Sequence, residues 1–205
     1  VYQWHTFFGS TEYDQGFGIA VDAGGNVYVT GNSYATWGTP LNAHSGLEEI
    51  FVLKLDSAGN FVWARRFGGN DNVESNGIAV DAAGAPHICY LGLSTRYLKC
   101  ARRAGAQWQI TTVDNSAASG GSVSLKLDAA GNPRVSYYDA THKDLRYAAW
   151  DGVQWVVQTV DSTGDVGGYT SLDFDASDGA VSSYYDFAND ALKVADRGTG
   201  RWNIE

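Results

Sequence analysis

The sequence predicts an all-β protein assembled from four-stranded antiparallel units, and three observations carry that expectation. Apolar residues alternate with polar ones at a period of two, as where Val123, Leu125 and Leu127 interleave with Ser122, Ser124 and Lys126. Turn chemistry interrupts this alternation every 5 to 8 residues, and no helical pattern of useful length is present. Most telling, three segments align without gaps at a shift of 47 residues, from Gly77, Ser124 and Ser171 onward. Asp81, Asp128 and Asp175 coincide, as do Tyr90, Tyr137 and Tyr184, then Leu98, Leu145 and Leu192, then Trp108, Trp155 and Trp202.

Within a unit the elements follow in order. The second unit reads as strands over about 77–81, 86–91, 97–103 and 107–113. The turn after each first strand is Asp-Ala-x-Gly, at Asp22, Asp81 and Asp128 and in altered form at Asp175. Aspartate can accept from its own backbone two residues on, and glycine supplies a positive φ, so the pair closes a compact hairpin. A Trp begins each fourth strand, at Trp4, Trp63, Trp108, Trp155 and Trp202, and is expected to pack between units. The N-terminal unit, opening GIAVDAGGNVYVTG, is longer: Asp22 and Asp81 are 59 residues apart, with the excess in a Gly/Ser/Thr/Asn-rich loop over Ser33 to Glu49.

One twisted sheet cannot bury both of its faces, so four-stranded units repeated in series are expected to stack around an axis as the blades of a β-propeller. The expectation is a single domain over 1–205, with about four blades near 17–69, 77–113, 123–160 and 170–205 and residues 1–8 as a candidate ring-closing strand. If that strand completes the last blade, the ring has four blades. Otherwise the chain is part of a larger ring, completed by further blades or by a homo-oligomer, since an open arc exposes apolar faces and strand edges.

Composition narrows the partners. Of the 205 residues 44% are hydrophobic and 18% charged, as in a globular protein, and 25 glycines with 13% aromatics suit short strands and tight turns. A net charge of −9 and the lack of a basic stripe argue against nucleic acid, since Arg65-Arg66 and Arg102-Arg103 are isolated pairs. No apolar run is long enough for membrane insertion as a helix. The sequence holds no methionine, even at position 1, so the chain is expected to be processed or cut from something longer. Its two cysteines, Cys89 and Cys100, are 11 residues apart, so a bridge across one hairpin is sterically open, as is a pair of small buried thiols that never join. The histidines His5, His44, His87 and His142 form no zinc spacing.

At the level of residues, WHTFFGSTEYDQGFGIAVDAGGNVYVTGNS through FVLKLDSAGNFVWARRFGG, roughly residues 4–80, resembles the bacterial SBBP propeller repeat. The remainder, with GNPRVSYYDATHKDLRYAAWDGVQW, is similar to another repeat of bacterial exported and surface proteins, in which GNPHISYYD…DLKYA…W recurs. These resemblances imply a propeller and a secreted or cell-surface location, and no common reaction. The chain departs from the pattern at Asp178-Gly179, where Gly-Asn is expected, and at Cys89 and Cys100.

Candidate sites fall on the face that gathers the fourth-to-first and second-to-third loops. Glu12, Asp14, Asp71, Glu74, Asp114, Asp161 and Asp165 lie in the former, and Asp139, Asp186 and Asp190 in the latter. Such a face could supply oxygen ligands to calcium, although acidic loops also simply solubilise a protein and cap their own turns. The stretch from Asp173 to Gly179 has the wrong spacing for a calcium loop. The pairs Tyr137-Tyr138 and Tyr184-Tyr185 precede Asp139 and Asp186, and aromatics beside carboxylates can stack on and hydrogen-bond to sugars. The ligand-contacting candidates are therefore Asp139, Tyr138, His142, Asp186, Tyr185 and Asp165, with Asp22, Asp81, Asp128, Asp175 and the Trp column as structural residues. Lys126 and Asp173 occupy equivalent first-strand positions and are expected to pair.

No nucleophile–base motif, zinc helix or phosphate loop is present, so no catalytic residue and no obligatory cofactor is assigned. The expected function is a non-catalytic binding or scaffolding module with a glycan or protein ligand. Alternatives are a lectin-like propeller, with or without calcium, a propeller lyase or hydrolase, and a truncated or artificially joined blade set without a function of its own.

Overall fold

The computed structural model describes residues 4–37, 48–67, 73–92, 94–116, 119–198 and 200–205, with the backbone alone for 74–76 and 119–120. Among the described residues there are four four-stranded sheets, each with its strands in sequential order. The first holds β1 (Asp14–Val21), β2 (Val27–Ser33), β3 (Glu49–Leu55) and β4 (Phe61–Phe67), and the second β5 (Val73–Val80), β6 (Pro86–Gly92), β7 (Leu98–Ala104) and β8 (Gln107–Asp114). The third holds β9 (Ser119–Leu127), β10 (Pro133–Asp139), β11 (Asp144–Trp150) and β12 (Trp155–Asp161), and the fourth β13 (Val166–Phe174), β14 (Ala180–Asp186), β15 (Ala191–Asp196) and β16 (Asn203–Ile204). Four-stranded antiparallel meanders repeated in this way are the blades of a β-propeller, as the repeat predicts.

First strands begin earlier than the alternation alone suggests, because the pairing continues across bulges. These lie at Gly16/Gly18, Ser75/Gly77, Tyr137/Asp139 and from Val166 to Ser171. Residues 4–8, expected as a ring-closing strand, carry no ladder, and the Trp4 indole instead donates to the Ser57 carbonyl at 3.1 Å in the β3–β4 turn. The fourth position of the last blade is taken by β16, which pairs with β15. Residues 38–47 of the long first-unit loop lie outside the described residues, as do His44, Asp71 and the Glu74 side chain.

The chain packs as two compact units, residues 1–95 with 101–110 and residues 96–100 with 111–205. In the first, Ile50, Val52, Phe67, Val73, Ile88 and Tyr90 form a buried cluster, with Trp63 and Trp108 packed against it. In the second, Leu145, Tyr147, Val166, Leu172, Tyr184 and Ala195 do the same, with Trp202 against them. Both cysteines are disulfide-bonded, and as the chain's only two they pair with one another, Cys89 on β6 with Cys100 on β7.

The Trp column lies half-buried against neighbouring rings. Trp63 and Trp108 meet edge to face at 6.2 Å, and Trp202 meets Tyr147 at 5.2 Å. Trp155 packs on Trp150 at 5.7 Å and donates from its indole to Thr111 Oγ1 at 3.0 Å. The turn aspartates act alike. Asp22 Oδ1 accepts the amides of Gly24 and Asn26, Asp81 Oδ1 those of Ala83 and Ala85, Asp128 Oδ1 those of Ala130 and Asn132, and Asp175 Oδ1 those of Ser177 and Gly179. Asp56, in the β3–β4 turn, repeats the device with Ala58 and Asn60. In the last blade Asp178 takes the left-handed place that glycine fills elsewhere, at φ 63°.

Candidate ligand-binding face

In the second compact unit, the face expected to be strongly acidic divides into a buried charge network and a surface aromatic cluster. The buried part repeats at the 47-residue spacing. Tyr137 donates to Asp114 Oδ2 at 2.5 Å, and its counterpart Tyr184 donates to Asp161 Oδ2 at 2.8 Å. Arg146 reaches Asp139 at 2.9 Å, and its counterpart Lys193 reaches Asp186 at 3.0 Å and Asp161 at 3.1 Å. Asp139 and Asp186 have no exposed surface, and Asp114 and Asp161 are also buried. Asp139 and Asp186 were expected at the ligand surface, but their carboxylates instead cap the β10–β11 and β14–β15 turns and hold the basic side chains.

The electrostatics follow from this pairing. Burial, then the hydrogen bond to Asp114, pushes the Tyr137 hydroxyl up, and Tyr184 is raised in the same way over Asp161. Burial alone would raise Asp161, but the Thr163 amide, the Tyr184 hydroxyl and Lys193 hold it below the ordinary carboxylate value. The Asn189 amide, with Lys193, holds Asp186 down at about 2. Asp144, at the start of β11, is moved the other way by its burial.

The exposed part is built around Phe187. Tyr185 meets it edge to face at 5.0 Å, Tyr138 lies 6.0 Å away and Tyr169 6.1 Å, and Tyr169 and Tyr185 are 6.2 Å apart. Tyr169 is 77% exposed and Phe187 45%. Polar groups fringe the rings. Tyr138 donates to Asp165 Oδ1 at 2.7 Å, Lys143 Nζ lies 2.9 Å from Asp165 Oδ2, and Tyr185 donates to Asp190. Burial, then Asp165, pushes the Tyr138 hydroxyl up to about 12. His142, half exposed, keeps Nδ1 2.8 Å from Asp139 Oδ2.

Local sequence explains the placement. Gly167 and Gly168 leave no room for side chains: a Cβ on Gly167 would lie 2.8 Å from the Leu145 Cα, and one on Gly168 2.3 Å from the Phe187 ring. The chain then places Tyr169 at φ 52°, a left-handed conformation that costs an aromatic residue energy. The Tyr169 amide is satisfied by Ser122 Oγ at 2.9 Å, the residue at the same register one blade earlier. Of the six candidate residues, Tyr138, Tyr185, Asp165 and His142 thus reach this surface. Tyr169 and Phe187 escaped sequence reasoning, although the tyrosine standing where the sister blade has Ser122 was a visible departure.

Lys126 and Asp173 pair as expected, at 3.4 Å, with side chains 46% and 76% exposed, so water carries most of that interaction. Among the described residues, no group of three or more His, Cys, Asp or Glu side chains is placed to hold a metal ion.

Residues 3–36 match the family model of the SBBP beta-propeller repeat. The match spans β1 and β2, a shorter stretch than the resemblance suggested. No curated protein sequence matches the chain. Solved structures sharing the fold include a protein of unknown function from Dyadobacter fermentans, with a TM-score of 0.60 and 9% identity over 91% of this chain and 62% of that one. A GH43 beta-1,3-galactosidase follows at a TM-score of 0.55 and 10% identity, over 92% of this chain and 44% of that one. A PL25 ulvan lyase bound to -[GlcA(1-4)Rha3S]- has a TM-score of 0.52 and 13% identity, over 94% and 54%. The chain thus spans between 44% and 62% of these proteins' length, and at such identities the likeness concerns the fold.

Proposed function

We propose that this propeller is a non-catalytic binding module of an exported or cell-surface protein, and that it takes a carbohydrate chain on the aromatic cluster around Phe187. The observation that supports this is Tyr169, held in a left-handed conformation with most of its ring in water. Its ring, Tyr185 and Phe187 offer adjoining apolar faces to the C–H face of a pyranose. Asp165, Asp190 and Lys143 at the fringe supply acceptors and a donor for the sugar hydroxyls. The buried carboxylates beneath are engaged by tyrosine, arginine and lysine, which suits a rigid support better than a reacting centre.

A glycan array, followed by calorimetry on the best ligand, tests the reading. Wild-type protein is expected to bind with a dissociation constant in the micromolar to millimolar range, unchanged by a chelator. Tyr169→Ala, which removes an exposed ring, is expected to weaken binding at least tenfold and to leave the melting temperature unlowered. A ligand that binds Tyr169→Ala and wild type equally would place recognition elsewhere.

A further inference from the structure

At the opposite ends of the strands of the third and fourth sheets, the β9–β10 and β13–β14 turns and the segment after β15 surround a polar cavity of about 220 Å³. Asp128, Arg134, Tyr147, Ser177, Asp178 and Arg197 line it. Arg134 is fully engaged, with one arm on Asp128 and the other on the Trp150 carbonyl at 2.6 Å. Arg197 is not. Its guanidinium lies 5.6 Å over the Tyr147 ring and hydrogen-bonds to the Tyr147 side chain, but no carboxylate among the described residues is within ion-pair distance, and its Nε is buried without a hydrogen-bond partner.

The sister position shows what a closed version looks like. Arg103, two repeats earlier, stacks 4.1 Å over Trp63 and gives its Nε to the Gly105 carbonyl at 3.0 Å. The same guanidinium thus gives its Nε to a carbonyl in one blade and lines a cavity with that Nε unpartnered in another. Several buried N–H groups lack an acceptor among the described residues, and that of Arg197 belongs to a side chain that lines this cavity. The cavity's carboxylates do not fill the gap, because Asp128 is neutralised by Arg134 and Asp178 Oδ1 accepts the Ala129 amide at 3.1 Å. Asp178 keeps a second oxygen, and the Ser177 hydroxyl has no hydrogen-bond partner among the described residues.

We infer that this cavity seats a compact hydroxylated carboxylate, the uronic-acid unit of an acidic saccharide. Its carboxylate would be held by the Arg197 fork and its hydroxyls by Ser177 and Asp178. The planar guanidinium matches a carboxylate's two oxygens, and stacking on Tyr147 holds that plane in place. A bare anion would leave Asp178 repelling it, whereas a sugar acid turns that carboxylate into an acceptor for hydroxyl protons.

This site is separate from the aromatic cluster, and the experiment keeps the two apart. Ligand-observed NMR titrations of the whole chain would use glucuronate, glucose and sulfate as probes, with Arg197→Gln, Ser177→Ala and Tyr169→Ala as variants. Glucuronate is expected to bind saturably, at least tenfold more tightly than glucose or sulfate. Arg197→Gln is expected to lose at least tenfold and Ser177→Ala severalfold, while Tyr169→Ala binds as wild type. Ser177 lies on an exposed turn, so its variant reports on the site even if Arg197→Gln folds poorly. The inference is overturned if glucose or sulfate binds as well as glucuronate, if glucuronate does not saturate, or if neither Arg197→Gln nor Ser177→Ala weakens it.

Discussion

Tyr137 and Tyr184 fill the same place in successive blades, and each gives its hydroxyl to the carboxylate that ends the preceding fourth strand, Asp114 or Asp161. In the first compact unit the carboxylate's place, 47 residues before Asp114, is taken by Phe67, whose ring lies 6.2 Å from that of Tyr90, so this tyrosine–aspartate pairing is not repeated in every blade. The choice raises the stakes of each member, because a buried carboxylate deprived of a donor keeps its desolvation penalty. Tyr137→Phe would leave Asp114 only the amide and hydroxyl of Ser116 among its close donors. It should therefore lower the unfolding free energy by about 2 kcal/mol, read from the urea midpoint at constant slope. Tyr138→Phe removes a half-exposed hydroxyl from Asp165 and should shift the same midpoint far less. Equal effects of the two substitutions would mean that burial does not decide these bonds' worth.

The hairpin turns between first and second strands were legible from sequence because one residue does two jobs at a fixed place. The aspartate closes the backbone, and the glycine three residues on enters the left-handed region, at φ 78° for Gly25, 76° for Gly84 and 82° for Gly131. Gly131 isolates the backbone contribution, since a Cβ there would meet nothing within 4 Å. Gly131→Ala should thus cost about 1 kcal/mol through strain alone, measurable by thermal unfolding, and a silent substitution would show that the turn relaxes freely. The bulged starts of β1, β5, β9 and β13 were less legible, because a bulge breaks the period of two on which strand reading depends. The buried network was hidden for another reason. Arg146 and Lys193 meet Asp139 and Asp186 across a turn, and nothing in an acid's own sequence neighbourhood says whether a base on the next strand will reach it. Tyr169 depended on a left-handed φ after two glycines, a conformation that no propensity assigns to tyrosine.

For the whole molecule, the repeat made the propeller readable while leaving its response to acid to be found in the packing. His87 is buried beside Asp81, and burial lowers its proton affinity more than the aspartate restores it. The unfolded chain then binds that proton more tightly than the folded one, so stability must fall as the pH drops below the unfolded histidine value of 6.5. Asp81, Asp114, Asp161 and Asp186 are held below their unfolded value of 3.8 by hydrogen bonds and basic partners, so their contribution persists down to that pH and is lost beneath it. Asp144, raised by its burial, works in the opposite sense, its penalty shrinking as it protonates. Acid unfolding should therefore proceed in two limbs: a shallow decline of the melting temperature that sets in below about pH 6.5, then a steep one below about pH 4. His87→Gln, neutral throughout, should flatten the first limb and preserve the second when melting is followed by calorimetry from pH 8 to pH 3. A first limb of unchanged slope in that variant would assign the decline to other groups, and a missing second limb would mean that the tyrosine-, arginine- and lysine-bound carboxylates do not hold the blades together.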